Sequence, residues 1–153
     1  MTIWTSTPAT TLQNVFEAIH QQRMADFPLL NPALKVEAVG FRLGDDRHWV
    51  GTLVTPWSIN LLRLPGQPEG WPETAPGGRH SWHFPSGNYE FTIAEEAQLG
   101  CYHLCSLFSP TFEFHSHAQA RLTAAAVIES LFTRSPESTA PGLGRRDFLR
   151  LGR

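Results

Sequence analysis

The sequence predicts an α+β fold: an antiparallel sheet of about five to six strands, with an N-terminal and a C-terminal helix packed on one face, and a flexible C-terminal tail. Three observations predict it. Apolar residues recur at helical spacing near both ends of the 153-residue chain. Between them the pattern changes to short extended runs separated by Gly-, Pro-, Asn- and Asp-bearing turns. The longest run, Val50 to Leu64, is rich in β-branched and apolar residues and reads as the middle of the sheet. Helix, strands, helix is an order in which helices and sheet segregate into layers.

The elements follow in order. Met1 to Pro8 is polar and reads as a frayed end. A helix is expected from Thr10 or Thr11, where Thr10 and Gln13 fit a capping box, with Leu12, Val15, Phe16 and Ile19 on its apolar face. Phe27-Pro28 ends it, because the residue before proline is pushed out of the α region. Leu34 to Phe41 alternates and reads as a strand, Gly44 to Arg47 as a turn, and His48 to Val54 as the returning strand. Trp57 to Leu64 is a third strand, joined to the second by a turn or bulge at Thr55-Pro56; one long bent strand is the alternative. Pro65 to Gly78 holds four prolines and four glycines and reads as a surface loop pinned by Trp71. His80 to Phe84, Tyr89 to Ile93 and Cys101 to Phe108 are the remaining strands. Ser116 and Gln119 fit a second capping box, opening a helix whose buried stripe is Leu122, Ala125, Ile128 and Phe132 and which Ser135-Pro136 closes. Residues 1–133 form one domain on this reading, and 134–153 a basic tail.

Charge is unevenly placed. From Arg134 onward, five arginines stand against Glu137 and Asp147, a net +3; Met1 to Thr133 has seven basic and twelve acidic residues, a net −5. An acidic body argues against nucleic acid, which is bound through Lys and Arg on phosphates, and suits a basic peptide. No run approaches the roughly 20 apolar residues that span a bilayer, and no secretory signal opens the chain, so a cytoplasmic location without membrane insertion is expected.

Few residues announce chemistry. Cys101, His103 and Cys105 share one face of the last strand, but ligands two apart along a strand are too spread to close on one zinc ion. His80 with His83 and His115 with His117 are the other near pairs. No G-x-S-x-G, phosphate loop or dinucleotide fingerprint is present, so no catalytic residue, metal site or cofactor is assigned. A small metal-handling or redox accessory protein using Cys101, Cys105 and nearby histidines is the alternative function. The Ser106 to Phe114 segment says more. Pro110 prevents the ladder from continuing, and Phe108, Phe112 and Phe114 either enter the core or line an apolar groove at the sheet edge. Gly144 to Arg150 has the form of a twin-arginine export motif, with Arg145, Arg146, Phe148 and Leu149 at its defining positions. No apolar region follows, so it reads either as a solvated basic tail or as a mimic of such a signal.

Four phrases, Asn31 to Phe41, Gly51 to Leu62, Phe84 to Phe91 and Cys105 to Phe114, together resemble the HybE/HupJ family of [NiFe]-hydrogenase assembly chaperones. The resemblance implies a cytoplasmic, non-catalytic chaperone for a membrane-bound uptake hydrogenase. It would bind the twin-arginine signal peptide of the small-subunit precursor, engage the large subunit, and hold back export until the metal centres are in place. Some relatives carry a rubredoxin domain, which needs four cysteines; with two, this chain cannot contain one. Around the Phe-Leu of a bound signal, the apolar contacts are expected from Trp57, Phe108, Pro110 and Phe112, with Glu113 or Glu90 as the arginine partner.

Overall fold

The computed structural model describes residues 1–134. Its elements are α1 (Ala9–Gln22), β1 (Glu37–Leu43), β2 (Trp49–Val54), β3 (Ile59–Leu64), β4 (Arg79–Phe84), β5 (Gly87–Glu96), β6 (Gly100–Phe108) and α2 (His117–Phe132). The expected α+β class, the six strands and the two terminal helices are all present. The strands form one antiparallel sheet in the order β1-β2-β3-β6-β5-β4. Two three-stranded meanders therefore lie side by side, joined where β3 pairs with β6.

Val50 to Leu64 is two strands. Val54 pairs with Ile59, and the turn between them closes with the Thr55 N–H donating to the Ser58 carbonyl at 2.9 Å. The Thr55 hydroxyl oxygen also accepts from the Ser58 N–H at 3.0 Å. A short turn with its polar groups satisfied locally leaves Pro56 outside the ladder, where its missing N–H costs nothing.

The helices do not share a face, which corrects the expectation above. Leu12 and Val15 of α1 pack with Leu53, Leu62, Leu64 and Tyr102. Ala120, Ala124, Val127, Ile128 and Leu131 of α2 pack with Val50, Val54, Ile59, Leu61 and Leu107. Successive strand residues point to opposite faces, so Leu61 and Leu62 bury on opposite sides. Strands apolar at consecutive positions require cover on both faces. That signal is present at Leu61-Leu62 and outweighs the order of elements.

Both helices differ from expectation in detail. α1 starts after Pro8, with no side-chain cap, so Thr10 does not cap it. Gln13 instead accepts the Ala38 N–H at 3.0 Å, stitching α1 to β1. α1 also stops at Gln22, because residues 25–29 are all exposed and give a further turn nothing to bury against. The chain before α1 is tied down rather than frayed: the Trp4 N–H donates to Pro65 and the Trp4 carbonyl accepts from the Trp49 indole. At α2 the Ser116 hydroxyl caps the Gln119 N–H at 3.1 Å, as the motif predicts. Of the expected stripe Ile128 is buried and Ala125 and Phe132 are partly buried against the core, but Leu122 is 72% exposed and Ala120, Ala124, Val127 and Leu131 complete the buried face. The stop expected at Ser135-Pro136 lies outside the described residues. Among the described residues no helix is long and apolar enough to cross a membrane.

Candidate binding site

Three loops meet at one end of the sheet: residues 23–33, the β2–β3 turn, and the 109–116 connection from β6 to α2. Asn31, the first residue of one of the phrases that carry the family resemblance, ties them together. Its Nδ2 donates to the carbonyls of Thr111 and Phe114, 2.8 Å each, while its backbone N–H donates to Pro56 at 2.8 Å. The Thr111 hydroxyl donates to the same Pro56 carbonyl at 2.9 Å. Asn31 and Thr111 are buried, so each of these bonds would be costly to leave unmade.

The knot decides which aromatics face in. Phe108 and Phe114 are buried edge-to-face with centroids 5.0 Å apart. Phe112 between them is left 53% exposed, beside exposed Glu113 and Pro110. The 23–33 loop exposes Phe27 and Leu29. Trp57, in the β2–β3 turn, is half-buried against His20 at 5.7 Å. The structure thus gathers Trp57, Pro110, Phe112 and Glu113 onto loops joined by one buried network, and places Phe108 beneath them in the core. Glu90 lies elsewhere, exposed on β5 and paired with Arg79 at 2.9 Å. The tail positions Arg145, Arg146, Phe148 and Leu149 lie outside the described residues. Phe27 and Leu29 were missed because Phe27-Pro28 reads as a helix stop. An apolar run with no partner in either period is the signal that could have found them.

This fold and these phrases have close counterparts. The family model for "[NiFe]-hydrogenase assembly, chaperone, HybE" matches residues 7–151. The chain belongs to the HybE family of hydrogenase assembly chaperones. Among HybE-family relatives, HoxT of Cupriavidus necator is 41% identical over 152 residues, covering 90% of this chain and 85% of that one. The probable rubredoxin HupJ of Rhodobacter capsulatus is 42% identical over 117 residues, covering 76% of this chain and 42% of that longer one. The solution structure of HybE from Escherichia coli superposes with a TM-score of 0.71 at 25% sequence identity, covering 95% of this chain and 90% of that one.

In this HybE-family chain His103, the histidine of the last strand, is built into the packing. His103 is fully buried against Trp71 at 4.3 Å, and its Nδ1 accepts the Trp82 indole N–H at 2.8 Å. The imidazole proton therefore sits on Nε2. Burial, then the neighbouring His80, Arg63 and His48, hold its pKa down at about 4. His48 is built alike, its Nδ1 accepting the Gly66 N–H. Beneath them Arg63, only 1% exposed, forks onto Asp46 at 2.7 and 2.9 Å and lies over the Trp82 and Phe84 rings. A cleft of about 240 Å³ opens over this pair. Burial and the Glu95 carboxylate push the Cys101 thiol up, away from the thiolate that metal ligation or nucleophilic attack needs. Among the described residues no three His, Cys, Asp or Glu side chains are placed to hold one metal ion.

Proposed function

We propose that this HybE-family chain is a cytoplasmic, non-catalytic chaperone for a membrane-bound [NiFe]-hydrogenase. It binds the twin-arginine signal peptide of the small-subunit precursor, engages the large subunit, and holds back export until maturation is complete. The observation that carries this reading is the Asn31–Pro56–Thr111 knot, which fixes Phe112 outward at the end of an otherwise well-packed core. Apolar side chains held exposed by buried hydrogen bonds suit a protein ligand. Trp57, Pro110 and Phe112 would take the Phe-Leu of the signal, with Phe108 supporting them from below. Glu113, and Glu90 through exchange with Arg79, would meet the arginines. Each such exposed ion pair contributes about 0–1 kcal/mol, so apolar contact dominates affinity and charge adds a salt-sensitive part.

A synthetic twin-arginine peptide titrated against the full chain tests this. Binding should weaken with added salt and should fall in F112S, while the unfolding midpoint of F112S stays at that of the parent protein. No binding at low salt, or undiminished binding in F112S, would overturn the peptide role.

A further inference from the structure

Pairing between β5 and β6 ends at Thr92 and Leu104. β6 runs on beside β3, with Ser106 opposite Asn60 and Phe108 opposite Ile59. β5 runs on beside β4, with Glu90 opposite Ser81 and Asn88 opposite His83. The sheet is forked. Among the described residues, Ser106, Leu107 and Phe108 have no strand on their β5 side. An edge of this kind accepts an extended segment through main-chain hydrogen bonds, with alternate side chains supplying selectivity.

One tine of the fork is fastened to the end of α2. The Ser86 N–H donates to the Leu131 carbonyl at 3.3 Å, and Phe132 meets the Phe84 ring edge-on at 5.8 Å. The chain leaves α2 there. Residues 133–144 separate Phe132 from the Arg-Arg-Asp-Phe-Leu segment. As a coil, these twelve residues have an r.m.s. span of about 20 Å, and extended they reach about 40 Å. Either is long enough for residues 145–149 to return to the sheet. The tail is net +3 and the body net −5. Glu90 stands on one tine and Glu113 just beyond the other. The Glu90–Arg79 pair is mostly solvent-exposed on both sides, so a tail arginine can replace Arg79 at little cost. The family match also runs through residues 145–149, so the segment belongs to the matched region and is not an appendage to it.

We infer that Arg145–Leu149 docks in this fork as an added strand against Ser106–Phe108. The cis-docked segment overlaps, at Phe108 and Pro110, the seat that a partner's twin-arginine segment takes in trans. Pro110 ends the ladder beyond Phe108 and so sets how far the added strand runs. This rests on the reading that the chain binds twin-arginine segments.

Amide hydrogen exchange on the full-length chain tests it, with full-length R145A/R146A/F148A as comparison and F148A alone as a milder second variant. A segment tethered at an effective concentration of about 1 mM with a Kd of about 0.1 mM is docked about ten times more often than not. The amide in Ser106–Phe108 that points into the fork should therefore exchange about tenfold faster in the triple variant. A synthetic peptide spanning Gly144–Arg150 should bind the triple variant about tenfold more tightly than the parent chain. Equal exchange in the parent chain and both variants overturns the proposal. A hydrogenase signal peptide that binds while exchange stays equal removes the cis docking and leaves the chaperone reading standing. Faster exchange with no signal-peptide binding does the reverse.

Discussion

At the residue scale, two buried polar groups carry more than their size suggests. Asn31 donates to two carbonyls while its Oδ1 accepts from the Ala33 N–H at 2.9 Å. Asn31→Ala leaves those buried groups unpaired and should cost about 2–3 kcal/mol in a urea titration. Asn31→Asp has nearly the same shape but turns an acceptor toward two acceptors, and should be no better than alanine. His103 sets a pH dependence. Its folded pKa is about 4 against an ordinary 6.5. Between these values the unfolded chain binds more protons, so stability is full above about pH 6.5 and falls as pH drops toward 4. Burial lowers the His48 and His80 pKa values too, adding loss below 6.5. His103→Gln retains an acceptor for Trp82 and does not titrate. Its unfolding midpoint should vary less between pH 6.5 and 4 than the parent's, and an unchanged slope would count against a buried neutral His103.

At the element scale, β2 shows how closely the sheet is fitted to its cover. A Cβ on Gly51 would stand 2.3 Å from two carbons of the Phe41 ring, which lies over this glycine from β1. Gly51→Ala should destabilise by about 1–3 kcal/mol through forced movement of that ring. Adding Phe41→Leu should recover part of the loss in a double-mutant cycle. The strands were legible because their periods and turn residues are local properties. The Ser116 cap was legible for the same reason. The α1 boundaries were not, since nothing local says that Met24 to Phe27 finds no surface to bury against. On α2 the expectation failed at Leu122. Small Ala120 and Ala124 let that helix approach the sheet closely, and closeness of approach ranked them above Leu122, which hydrophobicity alone favoured.

At the scale of the whole molecule, the candidate site was legible only in outline. The Phe-rich segment after β6 was singled out correctly as the place where chain leaves sheet. Which phenylalanine faces water depends on Asn31, 80 residues away from Thr111, and such distant pairing leaves no mark on a local pattern. The arrangement of the strands has a further consequence, for the order in which the molecule assembles. Each meander is built from neighbours in sequence, β1–β3 within residues 37–64 and β4–β6 within 79–108. The seam between β3 and β6 joins Ile59 to Phe108 and Arg63 to His103, and must close a loop of about forty residues. Local hairpins form first and non-local pairings limit the rate. Conservative truncations along the seam, such as Leu61→Ala and Leu62→Ala, should slow refolding in stopped-flow measurements, while truncation of Val39 on the outer strand should mainly speed unfolding. A chain emerging from the ribosome would hold one finished meander and an incomplete second one until β6 is released, so its binding surface, built on loops from both, forms only once the 109–116 connection has followed.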